Sequence, residues 1–519
     1  MKFRGFTWSA VALLGVGLFS YLRGAFTAIS SGVELDYGEG TVLWQAQNLH
    51  DLNAAVHPLG QYPYILFNYT PVYHCASLLA AHFMPSLLAA GRLVSVLSML
   101  GICLIAFLIV SRGSRHWSSL PCGLMAGLLL LHLPNASWSL LMRVDMMGVC
   151  FAFLGILLYL RSREHPWMAY AAFLSFTAAA YSKQTLIAAP LACLFCMLIE
   201  DARRAFRVLA AFAMTGLAIL AFLAFLTRGE MVRHFFTYNV SPLAWRHGVW
   251  LAFDMCRRCA FILLPAFAYL LMRAGSLNLR RTPLRSLPSS FLQAVRTSLK
   301  EDGQTRTGTV FAVYLGIGAL ASLSITKVGA NVNYLLEPLF AACILTALYI
   351  HSQLEAPKLK PDNFSASRVL ALASVFLVVL TTNFASSGFA NSINRIEANQ
   401  QVHDYMLHRL EAIPGDVYSE EMTLLLEAHK QVPAEPSSVT FLSKMHLWDE
   451  RPLVDRIRNG YFSALLVNTS LDDSEHFSPA VRQAANAAYE LRERSGDYLL
   501  YFPRQSAATL EKNDPQGEP

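Results

Sequence analysis

The segment Glu34-Leu35-Asp36-Tyr37-Gly38-Glu39-Gly40 sets three carboxylates and two glycines within seven residues. A carboxylate on such a loop can take the proton of a hydroxyl nucleophile, and glycine lets the backbone lie close to a bound molecule. The helix-like run from Thr41 to Leu52 places Glu39 near a helix N-terminus, where the dipole favours the ionised form. The plainer reading of the same residues is a solvated acidic turn that caps a helix.

Other polar groups occur at similar places. Tyr62-Pro63-Tyr64 and Asn68-Tyr69-Thr70-Pro71-Val72-Tyr73-His74 form an aromatic, proline-rich stretch that leads into an apolar run at 75 to 90. It reads as an interfacial belt of tyrosines or as a roof over a cavity. A basic set follows, with Arg143 near Asp145, Lys183-Gln184 in a tight turn, and Arg257-Arg258. Guanidinium and ammonium groups at that depth suit a phosphate, to which they make short charge-assisted bonds; pairing of Arg143 with Asp145, or snorkelling, is the structural alternative. Asn331, Asn333, Tyr334 and Glu337 begin a further apolar run. They suit hydroxyl-rich ligands and helix capping equally.

The elements that must position these groups are apolar. The chain has 519 residues, 54% hydrophobic and 15% charged, against about 25% charged in soluble domains, and its mean hydropathy is +0.39. This excludes disordered and collagen-like classes. Eleven stretches approach the roughly 20 residues that cross a bilayer, near 6 to 24, 91 to 111, 120 to 135, 143 to 160, 167 to 182, 184 to 199, 207 to 227, 249 to 272, 309 to 326, 334 to 351 and 368 to 385. The first reads as a retained helix, since no small-residue cleavage site follows it cleanly. With the N-terminus inside, the inner connections hold nineteen Lys and Arg and the outer ones five, while residues 25 to 90 have none. The positive-inside rule therefore places the N-terminus in the cytoplasm, accounts for the net charge of +6, and leaves no case for nucleic acid as a partner. On this topology the unusual polar residues gather at the outer ends of the spans.

After about residue 385 the composition becomes mixed. Short β-like runs at 416 to 418, 464 to 467 and 498 to 502 alternate with helical ones near 391 to 411, 419 to 430, 450 to 459 and 478 to 494, which predicts a small α/β domain. The expected organisation is a membrane domain over 1–385, including an interfacial outer loop over 25–90, and an extracytoplasmic domain over 386–519. Trp448-Asp449-Glu450-Arg451-Pro452 reads as a helix start. All nine cysteines precede residue 344. Cys193-x-x-Cys196 and Cys256-x-x-Cys259 lie within apolar runs and read as buried hydrophobes.

An acidic motif in the first outer loop, a Pro-Tyr segment, the span start Gly91-Arg92-Leu93 and a trailing outer domain together resemble the GT-C glycosyltransferases. The chain is most similar to the bacterial branch related to aminoarabinose transferases and protein O-mannosyltransferases. The resemblance covers roughly residues 1 to 385 and implies a mainly α, polytopic protein of about 11 transmembrane helices. It also implies transfer of a sugar from a polyprenyl-phosphate donor, with inversion, to a glycan, lipid or protein acceptor at the outer face of the bacterial inner membrane. An acidic residue of the first loop is then the base. The family commonly has an Asp-Glu pair there; here Gly38 precedes Glu39, so both Asp36 and Glu39 are candidates. Donor phosphate would fall to Arg143, Lys183, Arg257 and Arg258, and sugar or acceptor to Tyr37, Asn68, Tyr69, Asp145, Gln184, Asn331, Asn333, Tyr334 and Glu337.

Such a donor is already activated, and the sequence has no Walker-type loop or dinucleotide fingerprint. No nucleotide-binding loop is therefore required, and acidic residues could hold a divalent metal. The rival classes are a secondary transporter or flippase of a lipid-linked sugar, for which midplane sites and internal repeats are expected, and a noncatalytic scaffold.

Overall fold

The computed structural model describes residues 2–112, 116–276, 287–301, 303–355, 388–468 and 470–504; the expected span at 368 to 385 and the tail after Ser506 lie outside them. The chain forms two compact units. One comprises Met1–Ser30, Tyr69–Leu223 and Leu243–Arg395, and the other Ser31–Asn68, Ala224–Pro242 and Ile396–Pro519.

The first unit is helical among its described residues and carries the expected apolar runs that fall within them. Thr7–Ile29, Leu87–Ser111, Ala202–Leu226, Gln304–Thr326 and Val332–Glu355 are each long and apolar enough to cross a membrane, and two bent helix pairs raise the number to seven. The chain is thus a multi-pass membrane protein. Leu87–Ser111 shows how one such helix is specified. The Ser86 side chain caps it by accepting the Ala89 N–H at 3.1 Å, and its 25 residues rise about 37 Å, enough for a hydrocarbon core of about 30 Å. It packs closely on Ser119–Leu131 because Gly123 and Gly127 offer no side chain: a Cβ on Gly127 would lie 2.6 Å from the Cys103 carbonyl oxygen. Phe153, at the centre, meets Phe311, Tyr314 and Phe340 edge-on with ring centroids 5.9 to 6.2 Å apart.

Two expected spans are broken. The run at 120 to 135 is the helix Ser119–Leu131 followed by Pro134–Leu140, bent by 76°, since Pro134 cannot continue the hydrogen-bond ladder. The run at 249 to 272 is Trp245–Arg258 and Ala260–Gly275, bent by 81°.

The second unit holds a four-stranded sheet of β1 (Val417–Ser419), β2 (Ala464–Asn468), β3 (Tyr489–Ser495) and β4 (Tyr498–Pro503), in the order β1-β2-β4-β3. β1 and β2 are parallel and the other pairs antiparallel. The expected β-like runs appear as β1, β2 and β4. The helix expected over 478 to 494 ends at Ala488, and Tyr489–Ser495 is a strand. A two-residue turn, Gly496-Asp497, closes its hairpin with β4, and Gly496 has φ +58°, which glycine adopts without a Cβ penalty. The helix Arg451–Arg458 starts where the sequence placed it, with Asp449 accepting the Arg451 N–H, and buries Leu453, Val454 and Ile457.

The unit is assembled from three stretches of sequence. Tyr64 exchanges backbone bonds with Pro433 and Glu435, and the Trp448 indole N–H donates to the Leu59 carbonyl at 2.9 Å. Buried His234 accepts the Phe67 N–H at Nδ1 and meets the His57 carbonyl at Nε2, so it acts as a neutral two-way clip. Leu59, Tyr64 and Leu66 share one core with Tyr418, Phe462 and Tyr489.

In the first unit, Glu200 joins three helices. It accepts from the Tyr159 hydroxyl at 2.8 Å and from Arg306 at 3.1 Å, and pairs with Arg163 at 3.7 Å. The Glu200 side chain is 19% exposed and that of Arg306 is 5% exposed. Glu200→Ala is expected to cost about 2 to 3 kcal/mol, somewhat below the roughly 3 to 5 kcal/mol for orphaning a fully buried charge. Thermal unfolding in detergent checks this; an unchanged melting temperature would show that the cluster holds nothing together.

Candidate functional site

Each unit contributes a polar centre. In the second, the acidic loop is held by its own backbone. Asp36 accepts the Gly38 N–H at 3.0 Å, and the Glu39 N–H donates to the Asp36 carbonyl at 2.8 Å, which starts the helix Gly38–Gln47. Glu39 is fully buried, and its carboxylate turns back to accept the Leu35 N–H at 2.8 Å. Asp36 is partly exposed. The helix packs through Gly40, where a Cβ would lie 2.6 Å from Met422 Cβ and 2.9 Å from the Thr423 nitrogen. Glu34, also buried, accepts the Thr423 N–H at 3.3 Å. Burial pushes its carboxyl well above the usual range, and the nearby Glu421 adds to the effect.

Tyr37 lies between the two candidate bases. Its hydroxyl donates to the Glu435 carboxylate and accepts the Ser437 N–H at 3.2 Å, and its ring stacks on His476 at 4.5 Å and 12°. The Asn68 side-chain oxygen accepts from Gln45 at 2.9 Å.

In the first unit, Asp145 gathers most of the remaining residues. One carboxylate oxygen pairs with Lys183 Nζ and accepts from Asn333 at 2.9 Å; the other accepts the Trp138 indole N–H at 3.0 Å and lies 4.0 Å from Arg143 Nε. Arg143 donates to the Tyr69 hydroxyl at 3.2 Å and sits over the Tyr69 and Trp138 rings, while Lys183 lies 4.8 Å from the Tyr334 ring centroid. These positions follow from local structure. The bend at Pro134 delivers Trp138, Arg143 and Asp145 from one short segment, and Lys183 occupies the turn between Met168–Ala180 and Ala188–Glu200. Gln184 follows in the same turn.

The other candidates have separate local partners. Asn331 caps its own short helix by accepting the Val332 N–H. Glu337 is buried and accepts from the Tyr314 hydroxyl at 3.2 Å. Arg257 and Arg258, expected two turns into a span, end the helix Trp245–Arg258 and both pair with Asp254, with about half or more of each side chain exposed. Trp138, His476, Glu420 and Glu435 escaped the sequence reading. Nothing in their spacing marks them, because each meets its partners only through the fold. Among the described residues, no group of three His, Cys, Asp or Glu side chains is arranged to hold a metal ion.

No protein-family model matches the chain, and no curated protein sequence is detectably similar. Among solved structures it is similar to ArnT from Cupriavidus metallidurans bound to undecaprenyl phosphate, with a TM-score of 0.57 and 12% identity over 96% of this chain and 99% of that one. The apo state of the same protein gives 0.58 and 12% identity over 95% and 98%. The chain shares the fold of that protein. Archaeal oligosaccharyltransferase AglB from Archaeoglobus fulgidus, in complex with an inhibitory peptide and a dolichol-phosphate, matches with a TM-score of 0.46 and 11% identity over 96% of this chain and 75% of that one. At 12% identity the likeness to ArnT shows the fold alone and leaves the chemistry to the chain's own residues.

The acidic loop has a pH signature. A carboxyl with a raised folded pKa contributes stability below its unfolded value of about 4.3, and loses it as pH rises through the folded value. Glu34→Gln is therefore expected to melt higher than wild type at pH 8, with the gap closing towards pH 4. Parallel melting curves across that range check this; a constant gap would remove the burial argument.

Proposed function

We propose that the protein is an inverting glycosyltransferase that moves a sugar from a polyprenyl-phosphate donor to an acceptor hydroxyl at the outer face of the inner membrane. The observation that carries this reading is the Asp145-centred arrangement of Lys183 and Arg143 in a GT-C fold. The fold's neighbour solved with undecaprenyl phosphate supports the donor class. Counting Asp145–Arg161, Met168–Ala180, Ala188–Glu200 and the stretch at 368 to 385 gives the eleven spans we propose. The excess of inner Lys and Arg supports a cytoplasmic N-terminus and an extracytoplasmic C-terminal domain from about residue 386.

The chemistry has two tasks. As the acceptor oxygen attacks the anomeric carbon, its proton passes to a carboxylate, and the bond from that carbon to the phosphate oxygen breaks on the opposite face. Negative charge then grows on the phosphate, where fixed cations stabilise it. Asp36 is the better base, because it is partly exposed while Glu39 is buried against the Leu35 amide. Asp145 orients Lys183 and Arg143, and its place as acceptor for both Lys183 and Asn333 suits that role better than direct sugar contact. Tyr69 and Tyr334 are left to line the donor.

Asp36→Asn is expected to reduce transfer by about 100-fold or more, with the protein still folded, whereas Glu39→Gln keeps an acceptor for Leu35 and retains measurable transfer. Assay of purified protein with a polyprenyl-phosphate sugar decides; full activity in Asp36→Asn would sink the assignment of the base. Lys183→Ala and Arg143→Ala should each weaken polyprenyl-phosphate binding about 10- to 100-fold, the equivalent of one charge-assisted bond of about 1.5 to 3 kcal/mol. Unchanged affinity in both would refute the donor site.

A further inference from the structure

The second unit holds a titratable cluster against the acidic loop that the proposed chemistry does not use. His476 Nδ1 pairs with Glu420, and Asp473 lies 3.4 Å from the same nitrogen. Glu420 is itself fixed, accepting the Asn468 N–H at 2.7 Å, and the His476 backbone is held by Thr440, whose hydroxyl donates to its carbonyl at 2.9 Å. The imidazole therefore presents a defined face, and Tyr37 stacks on it. Glu435 closes the other side. It accepts the Tyr37 hydroxyl and caps the helix Pro436–Lys444 by accepting the Ser438 N–H at 2.8 Å. One ring between Asp36 and Glu39 is thus gripped on its face and at its tip by residues far along the chain.

We infer that His476, Glu420 and Glu435 are positioning residues that hold Tyr37, and through it set the place of Asp36 in the acidic loop. This rests on Asp36 as the base. A carboxylate that must meet a hydroxyl needs its loop fixed to within a fraction of an ångström, and the loop's own bonds fix its shape without anchoring it to the sheet. Glu34 and Gly40 hold its two ends against Thr423 and Met422, and the stacked ring supplies the anchor at its middle, next to Asp36. The groups facing His476 are Glu420 after β1, Asp473 on its own loop, Glu435 on the following helix and the Tyr37 ring. Burial opposes the imidazolium, but Glu420, helped by Asp473 and Glu435, outweighs it and raises the imidazole above its ordinary value. The grip is therefore complete below about pH 6.5 and weakens as pH rises through the folded value.

The test is hydrogen exchange of the segment 33–41 in the full-length protein in detergent, corrected for the intrinsic pH dependence of exchange, beside the pH profile of transfer. Wild type should be protected at pH 6 and exchange about tenfold faster once His476 is neutral, as expected for local opening. His476→Gln should exchange fast at both pH values. His476→Arg, a permanent planar cation able to pair with Glu420 and stack on Tyr37, should restore protection and remove the pH step. Tyr37→Phe, which keeps the ring and loses the bond to Glu435, should fall between. Segments in β2 and β4 should not change. Equal exchange of 33–41 in wild type and His476→Gln, or faster exchange throughout the sheet in that variant, would overturn the inference. If exchange behaves as expected while Asp36→Asn transfers sugar normally, the positioning of the loop stands and the base assignment fails.

Discussion

Charge without water is the constraint on which the membrane unit depends. A carboxylate or ammonium group at the end of an apolar helix is costly unless a partner meets it, and Asp145 meets this requirement for several neighbours together. It takes Lys183 and Asn333 on one oxygen and the Trp138 indole on the other. Those three groups come from a bent helix end, an interhelical turn and the start of a further helix. The bend at Pro134 and the turn around Lys183 are thus where polar atoms must converge. Irregular backbone at membrane depth is tolerated where protein groups satisfy it.

The second unit meets a different difficulty, a crowd of acids. Glu34, Glu39, Glu420, Glu421 and Glu435 are all buried. The unit manages them by directing backbone N–H groups at most of them: Thr423 to Glu34, Leu35 to Glu39, Asn468 to Glu420 and Ser438 to Glu435. His476 lies beside Glu420, which favours its protonated form. The Thr423 bond to Glu34, the contacts of Tyr37 with Glu435 and His476, and the shared apolar core tie residues 31–68 to the C-terminal stretch, so the acidic loop is a structural part of that unit as well as the place where the chemistry is proposed.

Much of this was legible in the sequence. The apolar runs that fall within the described residues appear as helices, and three of the four strands fall on the expected β-like runs. The polar residues Arg143, Asp145, Lys183, Asn333 and Tyr334 were identified by being out of place in lipid, and the fold draws them together. That signal works because the bilayer penalises each such residue separately, without reference to any partner. The C-terminal unit offers no equivalent. Histidine and glutamate are ordinary in a soluble domain, so His476 and Glu435 carry no mark until Tyr37 is placed between them. Strand β3 was missed because Tyr489-Glu490-Leu491-Arg492-Glu493-Arg494 has the composition of an exposed helix. Pairing with β4 decides it, and that pairing depends on the turn at Gly496.

The break at Cys259 shows a second limit of hydropathy and changes the meaning of two arginines. A summed profile cannot separate one span of about 24 residues from two helices joined at 81°. The first of these, Trp245–Arg258, has 14 residues, which rise only about 21 Å, too little for a core of about 30 Å. One side is held in the protein through Gly248, where a Cβ would lie 2.6 Å from Thr326 Cα, and through buried Met255. The rest exposes Trp245, Val249, Trp250 and Phe253 beside Arg246, Arg257 and Arg258. Large aromatics next to arginines on one short helix are the composition of a segment lying in the membrane interface. Asp254 pairs with both terminal arginines within one turn, as a solvated helix end allows. Arg143 and Lys183, by contrast, have side chains only 12% and 8% exposed. Burial separates the two sets of cations: the break in the helix leaves Arg257 and Arg258 exposed at a helix end, whereas Arg143 and Lys183 are enclosed around Asp145, and the function proposed above draws only on the enclosed pair.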